Sequence, residues 1–145
     1  MRNSTLCAAL AALLLSAASA RAHHAFSQDF DPSMHVNLSG TVTKVQWTSP
    51  HVITYIDVKD DTGKTANWKV EMGSPTQLTK AGWTKTKLKV GEMITLQGFQ
   101  AKNGSRYANA EEVTMSNGEK LSAASSYDRG AAVPTSGSTT PKPVE

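Results

Sequence analysis

Cysteine is almost absent from this sequence of 145 residues, since Cys7 is its only thiol. Cys7 lies at the start of a Leu- and Ala-rich run, whereas a lipid-anchored cysteine would follow such a run. Beyond residue 22 the chain therefore has no disulfide, no Cys-ligated zinc and no Cys nucleophile. In an oxidising compartment, such a domain depends on core packing alone.

Long apolar runs are also lacking. The run over residues 6–15 is too short to span a membrane. It follows Arg2 and precedes small residues up to residue 22, which predicts a secretory signal peptide over 1–22. The small-x-small rule allows cleavage after Ala22 or after Ala20. We therefore expect a periplasmic or secreted protein that is soluble, with no membrane partner once the leader is removed.

The chain has no strong excess of either charge. It holds 15 Lys and Arg against 12 Asp and Glu, and two of the basic residues, Arg2 and Arg21, belong to the predicted leader. The rest of the chain has a formal charge of +1, and its acidic and basic residues are interspersed rather than clustered. Nucleic-acid binding would require a net basic face, so we expect no nucleic-acid partner.

Sequence signatures of common enzyme classes are missing too. The sequence has no Gly-x-Ser-x-Gly elbow, no His-Glu-x-x-His pair and no Gly-rich phosphate loop. Glu111 and Glu112 are adjacent, so on a strand they face opposite sides and do not form a catalytic carboxylate pair. We predict no catalytic residues and a non-enzymatic protein.

The residues that are present predict short strands. Alternating apolar side chains predict strands over 36–47, 51–59 and 65–72, which read as a meander. Gly40 interrupts the first strand and suggests a bulge or tight bend. Asp60–Gly63 has the composition of a turn.

A helix start follows the third strand. Ser74 is suited to the N-cap, Pro75 to the first helical position, and Gly82 to the residue after the helix. Further strands are predicted over 93–101 and 106–115, with a short terminal strand over 119–121. This order predicts a mainly β fold, a small five-stranded OB-like barrel with one short helix between strands three and four. A β-sandwich fragment is the alternative. Trp68, Trp83 and Phe99 are the predicted bulky core.

The domain organisation follows from composition. Residues 23–35 form a polar N-terminal arm that we expect to dock through Phe26 and Phe30. Residues 36–121 form the barrel domain. From residue 122 to 145 the chain is Ala, Ser, Thr, Gly and Pro without apolar periodicity, which predicts a disordered tail.

Several short motifs together resemble a family of small exported bacterial proteins of unknown function. The resemblance runs from about Ala22 to Leu121 and implies export and a small β-barrel, with no known activity. The motifs that carry it are His23-His24-Ala25-Phe26, Gly40-Thr41-Val42, Trp47-Thr48-Ser49-Pro50-His51-Val52, Glu71-Met72-Gly73-Ser74-Pro75, Gly82-Trp83 and Leu88-Lys89-Val90-Gly91.

Histidines at the cleavage site predict a metal-binding terminus. Cleavage after Ala22 makes His23 the first residue, whose α-amine and Nδ1 chelate one ion. His51, in the loop between strands one and two, is the candidate for a further imidazole, and His24 is the neighbouring one. Nitrogen ligands in tetragonal geometry favour Cu(II), so copper is the expected cofactor. Cleavage after Ala20 instead gives Arg21-Ala22-His23, a square-planar Cu(II) or Ni(II) site.

The loop between strands one and two supports a different hypothesis as well. This loop lies at the end of an OB barrel where ligands bind. Trp47, Pro50 and Tyr55 are the candidate ligand-binding residues there. In this alternative the protein is a metal-free accessory or structural domain that binds a protein or small-molecule partner.

Overall fold

A computed structural model of the chain describes residues 26–127. Residues 26–29 form one helical turn, and six strands and one helix follow. These elements are β1 (Phe30–Gln46), β2 (Ile53–Lys59), β3 (Thr65–Glu71), α1 (Pro75–Lys80), β4 (Met93–Ala101), β5 (Tyr107–Thr114) and β6 (Lys120–Ser122). The predicted leader and residues 128–145 lie outside the described part.

Strand pairing closes the sheet into a ring. β1 pairs antiparallel with β2 on one side and with β4 on the other. β2 pairs with β3 and β4 with β5, and a parallel pairing of β3 with β5 joins the two ends. β6 extends β5 outside the ring. This closed order, with the helix between β3 and β4, confirms the predicted mainly β, OB-like architecture rather than the sandwich alternative.

The helix α1 begins where the sequence predicts. Ser74 is its N-cap, and the Ser74 and Gln77 side chains form a reciprocal capping box. Leu78 is fully buried in the barrel core. Gly82 follows the helix with a φ of +90°, a conformation that glycine adopts without strain.

Alternation along the strands divides side chains between the barrel interior and its outer face. Interior residues form one core that includes Trp83, with Trp68 partly buried against it. Phe99 was predicted for this core and is instead in a second cluster on the outer face, because it alternates with the inward-facing Leu96 and Gly98 positions. The outer cluster comprises Phe26, Phe30, Phe99 and Ala101, with Tyr107 packed against it.

The predicted docking of the N-terminal arm through Phe26 and Phe30 is observed, but the first strand begins earlier than predicted. β1 begins at Phe30, six residues before its predicted start, because Phe30 pairs with Ala101 at the end of β4. The strand is therefore longer than apolar alternation indicates, since residues 31–35 contain one large apolar side chain, Met34, and no alternation.

Of the bulge or tight bend predicted at Gly40, the bulge is not found at this residue. Pairing runs without a shift through Gly40 on both sides, and the bulge lies between Val42 and Lys44. A Cβ on Gly40 would lie 2.7 Å from the carbonyl oxygen of Asp57. Glycine is needed there for the close approach of β1 and β2.

The segment predicted as a disordered tail begins as part of the domain. Ser122 ends β6, and Ala123, Ser125 and Ser126 are buried. The Trp83 indole donates a hydrogen bond to the Ser122 carbonyl at 2.8 Å. Small residues here allow the chain to lie against the sheet, a role that composition alone does not reveal.

Candidate functional site

The loop between β1 and β2, residues 47–52, is fixed at its C-terminal end by backbone hydrogen bonds. The Val52 amide donates to Gly73 at 3.0 Å, and the Met72 amide donates to the Val52 carbonyl at 2.9 Å. The Ser49–Pro50 peptide bond is cis. His51 is therefore held directly beside the segment that leaves β3.

His51 lies against that segment through its ring. Its Nδ1 is 3.2 Å from the Met72 carbonyl oxygen and 3.9 Å from Oε1 of Glu71. A carbonyl oxygen only accepts hydrogen bonds, so Nδ1 carries the hydrogen and the neutral ring has its lone pair on Nε2. The side chain is 32% exposed, and no residue in the described part of the chain bonds Nε2. His51 thus has the tautomer and the exposure that a metal ligand requires.

Glu71 is the centre of a polar network on the outer face. Its side chain is only 13% exposed. One carboxylate oxygen accepts the Tyr107 hydroxyl, and the other accepts the Asn109 amide at 3.3 Å. Burial raises the pKa of the Tyr107 hydroxyl, and the Glu71 carboxylate raises it further. Tyr107 therefore stays protonated and donates to Glu71.

Asn109 links this network to the segment after β6. It is 1% exposed, and its Oδ1 accepts the Ser125 hydroxyl at 2.5 Å. A fully buried amide with partners on both ends is a well satisfied polar group. The chain from His51 through Glu71 and Asn109 to Ser125 crosses the β3–β5 closure.

The three predicted ligand-binding residues do not share one surface. Trp47 is partly buried against the barrel core, and Pro50 is exposed on the loop. Tyr55 is half-buried on the outer face of β2, where the Lys44 ammonium lies 5.4 Å from its ring centre. Of the three, only Tyr55 contributes to the outer face that also carries Glu71.

Of the predicted metal ligands, only His51 falls in the described residues; His23 and His24 lie outside them. Phe26, three residues after His23, packs against Phe30 and Phe99, with ring centres 5.5 and 5.4 Å away. Within residues 26–127, no group of three or more His, Cys, Asp or Glu side chains is arranged to hold a metal ion.

The network residues were not predicted from the sequence. Glu71, Tyr107 and Asn109 face outward on β3 and β5, and their meeting depends on the parallel pairing that places Glu71 beside Asn109. No local signal marks Glu71, because the outward positions of β3 are all polar. His35 was not a predicted site residue either; its ring centre lies 4.9 Å from that of Phe99, and it borders an open cleft of about 370 Å³ with Glu111.

These features define a class: a small barrel of five strands closed by a parallel pair, with one short helix and a polar network on its outer face. The chain belongs to the family of unknown function DUF6152, which it matches over residues 11–110. The expected membership in a family of unknown function is confirmed. No curated protein and no solved structure matches the chain. In residues 26–127, no helix has the length and apolar character needed to cross a membrane.

Proposed function

We propose that this protein is an exported, non-enzymatic binding module that takes up Cu(II) through its processed N-terminal histidine and His51. The observation that carries the proposal is the contact between His51 Nδ1 and the Met72 carbonyl oxygen, 3.2 Å apart. Because a carbonyl oxygen only accepts hydrogen bonds, this contact favours the tautomer with the hydrogen on Nδ1, which leaves the Nε2 lone pair for a metal ion. Metal-ligating histidines commonly have such a carbonyl or carboxylate behind them.

The position of the N-terminal arm supports the same site. Phe30 contacts Tyr107, with ring centres 4.8 Å apart, and Tyr107 bonds the Glu71 carboxylate that lies beside His51. The arm and His51 therefore lie on the same outer face of the barrel. The three residues from Phe26 back to His23 extend the reach of the terminus by about 10 Å.

The ligand chemistry selects the metal. After cleavage at Ala22, the α-amine and Nδ1 of His23 chelate one ion, and the His51 imidazole adds a third nitrogen. Three nitrogens in tetragonal geometry suit Cu(II), which also has the highest affinity in the divalent series. His24 is the neighbouring imidazole. Cleavage after Ala20 would instead give the Arg21-Ala22-His23 terminus, which binds Cu(II) or Ni(II) without His51.

The test begins with mass spectrometry of the secreted protein, which fixes the first residue. The mature protein is then titrated with Cu(II), and its visible and electron paramagnetic resonance spectra are recorded. His51→Ala is expected to weaken binding about tenfold or more, the order of effect of losing one directed ligand. A Met residue placed before His23 is expected to abolish the three-nitrogen spectrum.

His35→Ala provides the matched control. His35 is a second imidazole on the outer face, but it lies against Phe99 rather than Glu71, and no carbonyl within residues 26–127 orients its ring. Its loss is expected to leave Cu(II) affinity unchanged. Equal binding by the wild type, His51→Ala and the Met-extended protein would overturn the proposal.

The alternative proposal is a metal-free accessory domain that binds a protein or small ligand at the outer face near the β1–β2 loop. Its support is Tyr55, a half-buried aromatic residue beside Lys44 on the strand face that OB barrels use for ligands. Partner binding that persists in EDTA and is lost in Tyr55→Ala would favour it over copper uptake.

A further inference from the structure

Four side chains form an alternating row of lysine and tyrosine across the outer face. Strand register places Lys44 beside Tyr55, Tyr55 beside Lys69, and Lys69 beside Tyr107. The row thus crosses β1, β2, β3 and β5 at one level of the ring. Neighbouring strands are about 4.8 Å apart, so the row is about 14 Å long. We call these four residues the Lys–Tyr row.

The tyrosine rings hold the two ammonium groups in place. The Lys69 Nζ lies 4.1 Å from the centre of the Tyr107 ring, and the Lys44 Nζ lies 5.4 Å from that of Tyr55. Such cation–π contacts restrict long side chains that are otherwise free to rotate. The two lysine side chains therefore lose less conformational entropy when a ligand binds.

Within residues 26–127, neither lysine is paired with a carboxylate. The lysine–carboxylate ion pairs in this range join Lys87 with Glu119 and Lys120 with Glu112. The acidic residues two positions from the row on β2 and β3 are engaged elsewhere, Asp57 with Asn67 at 2.7 Å and Glu71 with Tyr107 and Asn109. Lys44 and Lys69 are therefore positive charges on strands about 10 Å apart, two strand spacings, with no acidic partner among the described residues.

We propose that the Lys–Tyr row is a binding site for an acidic polysaccharide, a chain of sugar rings that carry carboxylates. Its length fits an extended oligomer rather than a single ion, and its two cations complement carboxylates that recur along a chain. The strand 2–3 face of OB barrels binds oligosaccharides and oligonucleotides. Tyr55 lies between the cations, and its hydroxyl bonds no residue in the described range, so it is available to sugar hydroxyls.

Between the two polymer classes of this fold, the row favours the sugar. Single-stranded nucleic acid binds by stacking bases on bare aromatic faces, and here a lysine lies over each ring. Asn67 and Thr43, which are hydrogen-bonded to each other at 3.2 Å, add amide and hydroxyl groups on the same face. Such groups recognise hydroxyls more readily than bases.

The test uses the mature protein in EDTA, so that its outcome is independent of copper. Isothermal titration calorimetry measures binding of an oligogalacturonate, with the methyl-esterified oligomer as an uncharged ligand of the same backbone. Binding of the acid and about tenfold weaker binding of the ester are expected, because charge-assisted hydrogen bonds are lost. Oligothymidylate of similar length is the nucleic-acid probe, and preferential binding of it would overturn the proposal.

Matched variants locate the site. The double variant Lys44→Gln, Lys69→Gln is expected to weaken oligogalacturonate binding at least tenfold. The control Lys85→Gln, Lys89→Gln removes the same charge from two exposed lysines of the segment before β4, outside the row, and is expected to bind as the wild type does. Circular dichroism confirms that both variants fold. Absence of binding, or equal weakening in the two variants, would contradict the assignment.

Discussion

Tyr107 donates its hydroxyl hydrogen to the Glu71 carboxylate across the parallel strand pair that closes the barrel. The bond joins the first residue of β5 to the last residue of β3. Among the strand pairs that form the closed ring, β3–β5 has the shortest backbone pairing, three residue pairs long, and this side-chain bond reinforces it. Changes at this bond therefore test the closure of the fold.

Tyr107 makes the stability of the fold sensitive to alkaline pH. The pKa of its hydroxyl is raised in the folded chain, whereas in the unfolded chain it ionises near pH 10. Below about pH 10 both states hold the proton and the contribution is complete. Above it, only the unfolded state loses the proton, so the free energy of unfolding falls as the pH rises. The measurement is urea unfolding at pH values from 7 to about 11.

Tyr107→Phe is expected to flatten that alkaline decline. At pH 7 the variant is less stable by about 1–2 kcal/mol, because Glu71 loses a donor in a site with little water. Tyr127→Phe is the control, since the residue is 44% exposed, its ring is kept, and its hydroxyl bonds no residue between 26 and 127. A decline above pH 10 as steep in Tyr107→Phe as in the wild type would show that another group causes it.

Asn109→Ala is expected to destabilise the domain by about 2–3 kcal/mol. The change removes a donor from Glu71 and the acceptor of the Ser125 hydroxyl, both in a buried place. Limited proteolysis should then cut after residue 122 earlier than in the wild type, because Ser125 is no longer held. Asn37→Ala, an exposed amide on β1, is the control and should change stability by less than about 0.5 kcal/mol.

Gly98→Ala is expected to prevent folding or to cost more than about 3 kcal/mol. A Cβ on Gly98 would lie 2.1 Å from the Asn109 carbonyl oxygen, where β4 and β5 shift register. Gly104→Ala is the comparison: it has open space around it and a φ of +72°, so only backbone strain of about 1 kcal/mol applies. Similar thermal midpoints for the two variants would argue against the clash.

Phe26→Ala tests whether the docked arm presents the copper-binding terminus. Phe26 is 5% exposed and contacts the rings of Phe30, Phe99 and Tyr127. Its truncation is expected to cost about 2–3 kcal/mol, toward the low end for a buried ring because the arm can relax. Cu(II) affinity should fall as well, since a released arm holds the amine and His51 together less often.

Leu121→Ala separates these two effects. It removes a partly buried side chain that packs against the barrel core and is not part of the outer cluster, so stability falls while Cu(II) affinity stays at the wild-type value. Unchanged copper affinity in Phe26→Ala would contradict a role for arm docking, whatever the loss of stability.

Much of the fold could be predicted because its local signals are strong. Ser74 and Pro75 specify the helix start, and β3 alternates cleanly between polar and apolar residues. The strand order then leaves few ways to close the sheet. Bulges were not predictable, because inserting one residue leaves no mark in composition but reverses every side chain beyond it.

The candidate site was predictable only in part. His51 was found because a loop histidine after proline is conspicuous, but its partners come from β3 and β5, far away in sequence. Glu71 and Asn109 meet through the parallel pairing, and the Lys–Tyr row depends on the register of four strands. Residues that meet across strands have no characteristic separation in the sequence, so a sequence pattern does not reveal them.

The contact between Phe26 and Tyr127, 5.0 Å between ring centres, brings the two ends of the barrel domain side by side. A few linker residues suffice to join them, and new ends can be opened in the exposed turn at Thr62 and Gly63. Such a circular permutant keeps the barrel, the His51 network and the Lys–Tyr row. Its free amine lies at the other end of β3 from Glu71, about 20 Å away, so copper uptake at His51 should be lost while polysaccharide binding is retained.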